Sequence, residues 1–244
     1  MAVSYVQGIG KGQVTAGVSS QTVTFDAALT SGNFVIMLTQ GNSKSVTYSP
    51  SNNGTALTWN TLGPFDHSAQ NIRMYAFWAQ VTAGDVTTVT VTRSSGTATI
   101  PLGAYEFAGV LSSGSVSLGS DTAETTGTSH DVSTGLSPSA GALLIGFITS
   151  SSSASFTQGG SYNILETVNT SAAGEYRIVS SGGTYTAPWT SVASETCKVV
   201  MVGFNAAAGA PAPELDGWMP VERVMRGPRW RAVTSGMTPP QKVN

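Results

Sequence analysis

Thr87-Thr88-Val89-Thr90-Val91-Thr92 alternates apolar and hydroxyl side chains with a period of two, and this hexapeptide decides the fold class. Side chains on a strand point alternately to opposite faces, so Val89 and Val91 are expected to face a core while Thr88, Thr90 and Thr92 face water. Runs of the same kind recur along the chain, separated by Gly, Ser, Asn and Asp clusters. They cover residues 22–25, 34–38, 45–48, 56–59, 72–78, 103–107, 143–148, 162–165, 175–179, 185–189 and 198–204. No segment before residue 210 carries a capped apolar stripe of helical period. Many short strands with frequent turns predict an all-β fold, an antiparallel β-sandwich of two stacked sheets. Phe34, Ile36, Leu38, Tyr75, Val89, Val91, Phe107, Leu144, Phe147, Val200 and Val202 are its expected inner-face residues.

The chain also echoes itself. Gly32-Asn33-Phe34-Val35-Ile36-Met37-Leu38-Thr39 resembles Gly141-Ala142-Leu143-Leu144-Ile145-Gly146-Phe147-Ile148-Thr149, Tyr75 aligns with Tyr176, and Ala104–Ala108 aligns with Val202–Ala206. Two pseudo-repeated halves are expected within one sandwich domain, residues 1–209, because the connection 112–134 reads as strand-like rather than as a Pro-rich linker.

At Ala206-Ala207-Ala208-Gly209-Ala210-Pro211-Ala212-Pro213 the composition changes. Residues 210–244 hold five basic and three acidic side chains, net +2, whereas residues 1–209 hold six basic against ten acidic, net −4. Pro220 and Pro228 interrupt any long helix, so this segment is expected to be an extended arm. Its Trp218, Met219, Arg223, Met225, Arg226, Arg229, Trp230 and Arg231 form a candidate partner-binding set, because Trp and Arg dominate interface hot spots.

Charged residues make up 10% of the chain, far below the roughly 25% of an average globular protein. Hydroxyls and amides therefore carry solubility, as in extracellular and virus-coat modules. MAVSYVQGIG lacks the basic and apolar regions of a secretory leader. No apolar run approaches the roughly 20 residues of a membrane helix. Synthesis in the cytoplasm with no membrane partner is the expectation, and the net negative body argues against nucleic acid. The single Cys197 excludes an intrachain disulfide and lies in an apolar run, which predicts a buried thiol.

Candidate chemistry is sparse. His67 and His130 lie in polar segments beside Asp66 and Asp131 without metal-ligand spacing, and are expected to be solvated. Glu106 interrupts Ala104-Tyr105-Glu106-Phe107; with Tyr105 and Phe107 inward, it is expected on a solvated face, without a catalytic role. Asp121, Glu124 and Asp131 share one polar connection and raise the question of a loop calcium site. Gly8-Ile9-Gly10-Lys11-Gly12 lacks the spacing of a phosphate loop. No cofactor and no enzymatic activity are expected.

The paired halves, with G-N-F-V-I-M-L-T at 32–39, N-I-R-M-Y-A-F-W at 71–78, A-Y-E-F-A-G-V at 104–110, G-A-L-L-I-G-F at 141–147 and K-V-V-M-V-G-F at 198–204, resemble the concanavalin-like or jelly-roll β-sandwich proteins of tailed bacteriophages. The resemblance covers about residues 1–208 and includes no functional motif. It implies a virion structural role among other capsid or tail subunits, with a homo-oligomer within the particle, most simply as a capsid decoration protein. The alternative it implies is a carbohydrate-binding tail or baseplate module for host adhesion. Trp59, Phe65 and Trp189 are then the candidate stacking platforms for a surface glycan.

Overall fold

In a computed structural model of the chain, residues 2–11, 17–112, 116–150, 155–165 and 171–207 are described. The arm residues Trp218, Met219, Arg223, Met225, Arg226, Arg229, Trp230 and Arg231 lie outside them, as does the boundary at 209/210. Among the described residues there is no helix. The described residues form fourteen strands: β1 Ser4–Lys11, β2 Ser20–Thr24, β3 Phe34–Gly41, β4 Tyr48–Asn52, β5 Asn60–Asp66, β6 Arg73–Gln80 and β7 Thr88–Arg93 precede β8 Leu102–Ala108. After it come β9 Ser117–His130, β10 Leu143–Ser150, β11 Phe156–Gln158, β12 Asn163–Ile164, β13 Ala172–Ile178 and β14 Trp189–Phe204. The protein is an all-β, antiparallel sandwich.

The sandwich has more layers than the two expected. One central sheet runs β1-β8-β3-β6-β5 and the other runs β11-β14-β10-β13-β12, with β9 also paired to β14. A third sheet, β2-β7-β4, covers the outer face of the first. The reason is visible in the apolar runs. β3 and β10 are buried at every position, so each needs cover on both faces. Phe34, Ile36 and Leu38 of β3 share one core with Leu143, Ile145 and Phe147 of β10 and with Val200, Val202 and Phe204 of β14. Val35 and Met37 point the other way, into a second core with Val23, Val89 and Val91 of the third sheet. Leu144 and Ile148 enter a third core, closed by Val132, Tyr162, Ala187 and Trp189. All eleven expected inner-face residues are buried, but they are divided among three cores.

β7 follows its alternation, with Val89 and Val91 buried and Thr92 exposed. Thr22 and Thr90 pair their hydroxyls at 2.7 Å across the outer sheet. Residues 45–47, 56–59 and 185–188 are not strand. Val46, Leu57 and Ala187 in these stretches each plug a core from a connecting segment, so the apolar content there reflects burial without strand pairing. Conversely, the glycine-rich stretch from Gly8 to Lys11 belongs to β1, paired to β8 with Gly8 opposite Tyr105.

In both central sheets the long middle strand is flanked by two partners from its own half of the chain, β8 and β6 around β3, β14 and β13 around β10. Phe34 sits opposite Phe107 and Gln80, and Leu143 opposite Phe204 and Ile178. With Phe34 and Leu143 as equivalents, Tyr176, which faces Ile145, corresponds to Trp78, which faces Ile36. The alignment of Tyr75 with Tyr176 is therefore corrected, since Tyr75 pairs with Thr39, three residues further along β3.

Candidate functional site

The acidic residues of the 121–131 connection do not converge. Asp121, on β9, accepts the N–H groups of Thr134 (2.7 Å) and Gly135 (2.6 Å), the N–H of Thr122 and the hydroxyl of Ser133. Desolvation opposes its charge, yet these donors hold its carboxyl below the usual range. Its role is to fold the 133–135 turn onto β9. Glu124, three residues on, points to the opposite face of the sheet. Its oxygens accept the N–H (2.6 Å) and hydroxyl (2.8 Å) of Ser68 and the N–H of Ala69 (3.2 Å). It too is partly desolvated but held low by those donors and by His67. Asp131 accepts the N–H of Val132. Backbone and hydroxyl donors thus engage both oxygens of Asp121 and of Glu124, which a calcium ion would otherwise take as ligands.

Neither histidine is solvated, which corrects the expectation for both. His67 is fully buried, its Nδ1 3.0 Å from Glu124 Oε1 and its Nε2 donating to the Thr196 carbonyl at 3.2 Å. Both neighbours, a carboxylate and a backbone carbonyl, are acceptors. His130 is 1% exposed. Its Nδ1 lies 2.8 Å from Thr125 Oγ1, its Nε2 3.0 Å from Ser191 Oγ and 3.6 Å from Cys197 Sγ. Burial lowers its pKa and favours the neutral ring. A Ser–His or Cys–His pair of this kind resembles a nucleophile–base arrangement only in composition. Cys197 is buried and desolvation pushes its thiol up to about 12, whereas a nucleophilic thiol is depressed and reachable. The Ser191 hydroxyl also donates to the Ala193 carbonyl at 2.6 Å, which holds the local bulge of β14 between Thr190 and Glu195.

Glu106 is likewise fully buried rather than on a solvated face. The alternation was right, since Tyr105 and Phe107 enter the shared core. The opposite face is also covered, by Gln7 and by the 27–33 segment. Oε1 accepts Thr30 N–H and Asn33 Nδ2, both at 2.7 Å, and Oε2 accepts Gln7 Nε2 at 2.6 Å. This carboxylate ties β8 to β1 and to the turn that launches β3. Glu175 was missed by sequence reasoning, because it lies within Ala173-Gly174-Glu175-Tyr176 with no alternation to flag it. It is fully buried on β13 and, among the described residues, accepts one N–H, that of Gly159 at 3.2 Å. Desolvation pushes its carboxyl up to about 8. Gly146 faces it across the ladder, where a Cβ would stand 2.6 Å from Glu175 Oε1.

The candidate glycan platforms lie in three different places. Trp189 is 1% exposed and packs edge-on to Phe156, so it is core rather than platform. Trp59 precedes β5, half-buried against the second core, with Nε1 donating to Asn52 Oδ1 at 3.3 Å. Phe65 is half-buried against the shared core. They form no common stacking surface.

Two surface depressions are better formed. One, of about 290 Å³, opens where the ends of β3 and β10 meet, and is lined by Gln40, Asn42, Gln70, Asn71, Ser150 and Ser171 above an apolar floor of Ile72 and Pro101. Gln40 is positioned there by the Thr149 hydroxyl, and Asn71 by the Lys44 N–H and the Asn42 carbonyl. The other, of about 310 Å³, surrounds Arg177, Tyr162 and Tyr185.

The class defined by fold and geometry is a layered antiparallel β-sandwich whose conspicuous acids and histidines serve internal structure. No protein-family model, curated protein or solved structure matches the chain.

Proposed function

We propose that the chain is a structural subunit of a tailed-bacteriophage virion, most simply a capsid decoration protein held by subunit contacts that include residues 210–244. One observation carries the reading. Asp121, Glu124, Glu106, His67 and His130 all spend their polar atoms on the protein's own backbone and side chains. Such a molecule invests its ionisable groups in rigidity, as a non-catalytic scaffold does. The low charge, the hydroxyl-rich surface and the Trp- and Arg-bearing segment after residue 210 support the same reading. It is tested by comparing particles made with the full chain and with a chain ending at Gly209. The full chain copurifies with particles at fixed stoichiometry, and the shortened chain is folded but not incorporated. Wild-type occupancy of the shortened chain overturns the anchoring role.

A second reading, carbohydrate binding on a tail or baseplate, is favoured by the amide- and hydroxyl-lined cleft at Gln40, Gln70 and Asn71. Its neutral polar walls and apolar floor fit a neutral sugar. Binding of neutral oligosaccharides on a glycan array, lost in Gln70→Ala/Asn71→Ala, supports it; no bound neutral glycan counts against it.

A further inference from the structure

Arg177, on β13, is held in an unusual way. Its guanidinium carbon lies 4.6 Å from the ring centroid of Tyr185 and 5.8 Å from that of Tyr162. Both rings are themselves anchored. The Tyr162 hydroxyl donates to the Thr186 carbonyl, and the Tyr185 hydroxyl to the Ser181 carbonyl at 2.9 Å. The backbone of Tyr185 is tied to Leu136 in both directions. The guanidinium is therefore pre-oriented, which reduces the entropy lost when its donors engage a ligand.

Among the described residues, the ion pairs are His67–Glu124 and Arg73–Asp66, and Arg177 has no carboxylate partner. Glu175, two residues away on the same face of β13, is pushed up to about 8 by burial, which favours its neutral form. Asp131 acts on this region from a distance, through its charge on Tyr162. The other described cations are engaged differently: Arg73 with Asp66, Lys44 with the Ser68 carbonyl, Lys198 with Thr122, while Arg93 is buried. Arg177 is half-buried and lines the 310 Å³ depression together with Ser161, Thr184, Thr186, Gly160 and Pro188. A stacked guanidinium without a carboxylate partner, beside hydroxyls in a concave site, offers a bidentate seat for an oxyanion and hydrogen-bonding groups for a polyol.

We infer that this depression is a binding subsite for an acidic sugar, with Arg177 holding its carboxylate and the hydroxyls of Ser161, Thr184 and Thr186 serving its ring hydroxyls. The inference rests on the carbohydrate-binding reading and names a ligand class and a second site for it. Bidentate pairing is specific to the planar guanidinium, so a lysine does not replace it.

The test is an NMR titration of the full chain with glucuronate, glucose and inorganic phosphate, repeated on Arg177→Gln and Arg177→Lys. Amide spectra with retained dispersion confirm that each variant is folded. Glucuronate shifts amides at 160–162 and 184–186 in the wild type. Its affinity falls at least about tenfold in Arg177→Gln, as loss of charge-assisted bonds implies, with Arg177→Lys also weakened, and glucose leaves these amides unmoved. Equal glucuronate affinity in wild type and Arg177→Gln overturns the inference. So does phosphate binding as tightly as glucuronate with the same Arg177 dependence, which makes the site a general oxyanion seat. Absent glucuronate binding alongside neutral glycans at the Gln40–Gln70 cleft overturns this subsite and leaves the glycan reading intact. Absence of both sinks the two together.

Discussion

Glu124 on β9 accepts the backbone N–H of Ser68 at 2.6 Å, so a carboxylate from one central sheet closes the β5–β6 turn of the other. The same carboxylate receives the Ser68 hydroxyl and stands 3.0 Å from the buried His67. The shared core holds the sheets together without direction; this contact adds a directional latch at its edge. Glu124→Ala leaves two N–H groups and His67 without their acceptor, at a cost of roughly 1–3 kcal/mol. Because the folded-state pKa of Glu124 is depressed, its stabilisation is present above the unfolded value of about 4.3. It is lost as pH falls below that through the depressed folded value. Melting temperatures of wild type and Glu124→Gln from neutral pH to pH 2 check this: the two profiles converge in acid.

Glu106 gives a second, independent test. Its three donors come from β1 and from the turn before β3, so Glu106→Ala strands buried polar groups. A loss of about 2–4 kcal/mol is expected, the upper end reflecting more than one orphaned donor. This replaces the near-neutral effect expected of an exposed acid. Urea denaturation of the variant measures it; a midpoint unchanged from wild type contradicts the buried network.

Glu175 carries the opposite pH signature. Its folded pKa of about 8 lies above the unfolded value of about 4.3. Between these values the folded chain binds the extra proton, so stability falls as pH rises and levels off above about 8. Glu175→Gln keeps the shape without the charge. It is expected to melt at a higher temperature than wild type at pH 8.5, and the gap narrows toward pH 5. A gap independent of pH contradicts a raised carboxyl.

The three aromatics suggested by a glycan-stacking reading separate by burial. Trp189→Ala removes a fully buried ring from the third core and costs about 3–5 kcal/mol. Trp59→Ala and Phe65→Ala, at half-buried positions, cost less, on the order of 1–2 kcal/mol for the apolar area they cover. Denaturation midpoints of the three single variants rank them; equal losses contradict the assignment of Trp189 alone to the core.

What was legible in the sequence follows from how burial writes itself into residue order. Alternation at Val89 and Val91 marks a strand with one wet face, and the structure agrees. The unbroken apolar runs at Phe34–Leu38 and Leu143–Ile148 mark strands covered twice, which is why a third sheet exists. Reading Glu106 as solvated applied the one-wet-face rule to a strand that has none. His67 and Glu124 are 57 positions apart, and Ser191 lies 61 positions from His130. No local pattern announces such pairs, so both histidines read as loop residues. Arg177 between Tyr162 and Tyr185 is hidden for the same reason, since its platform is assembled from two separate turns.

The virion role is tested most directly by a cryo-EM reconstruction of intact particles, purified from cells that make the full chain, in which this sandwich is located. Its three-sheet density is expected at symmetry-related positions, with residues 210–244 packed on a neighbouring subunit and Trp218 and Trp230 buried there. Particles that lack this density while the chain stays soluble and unassembled in the same lysate would contradict it.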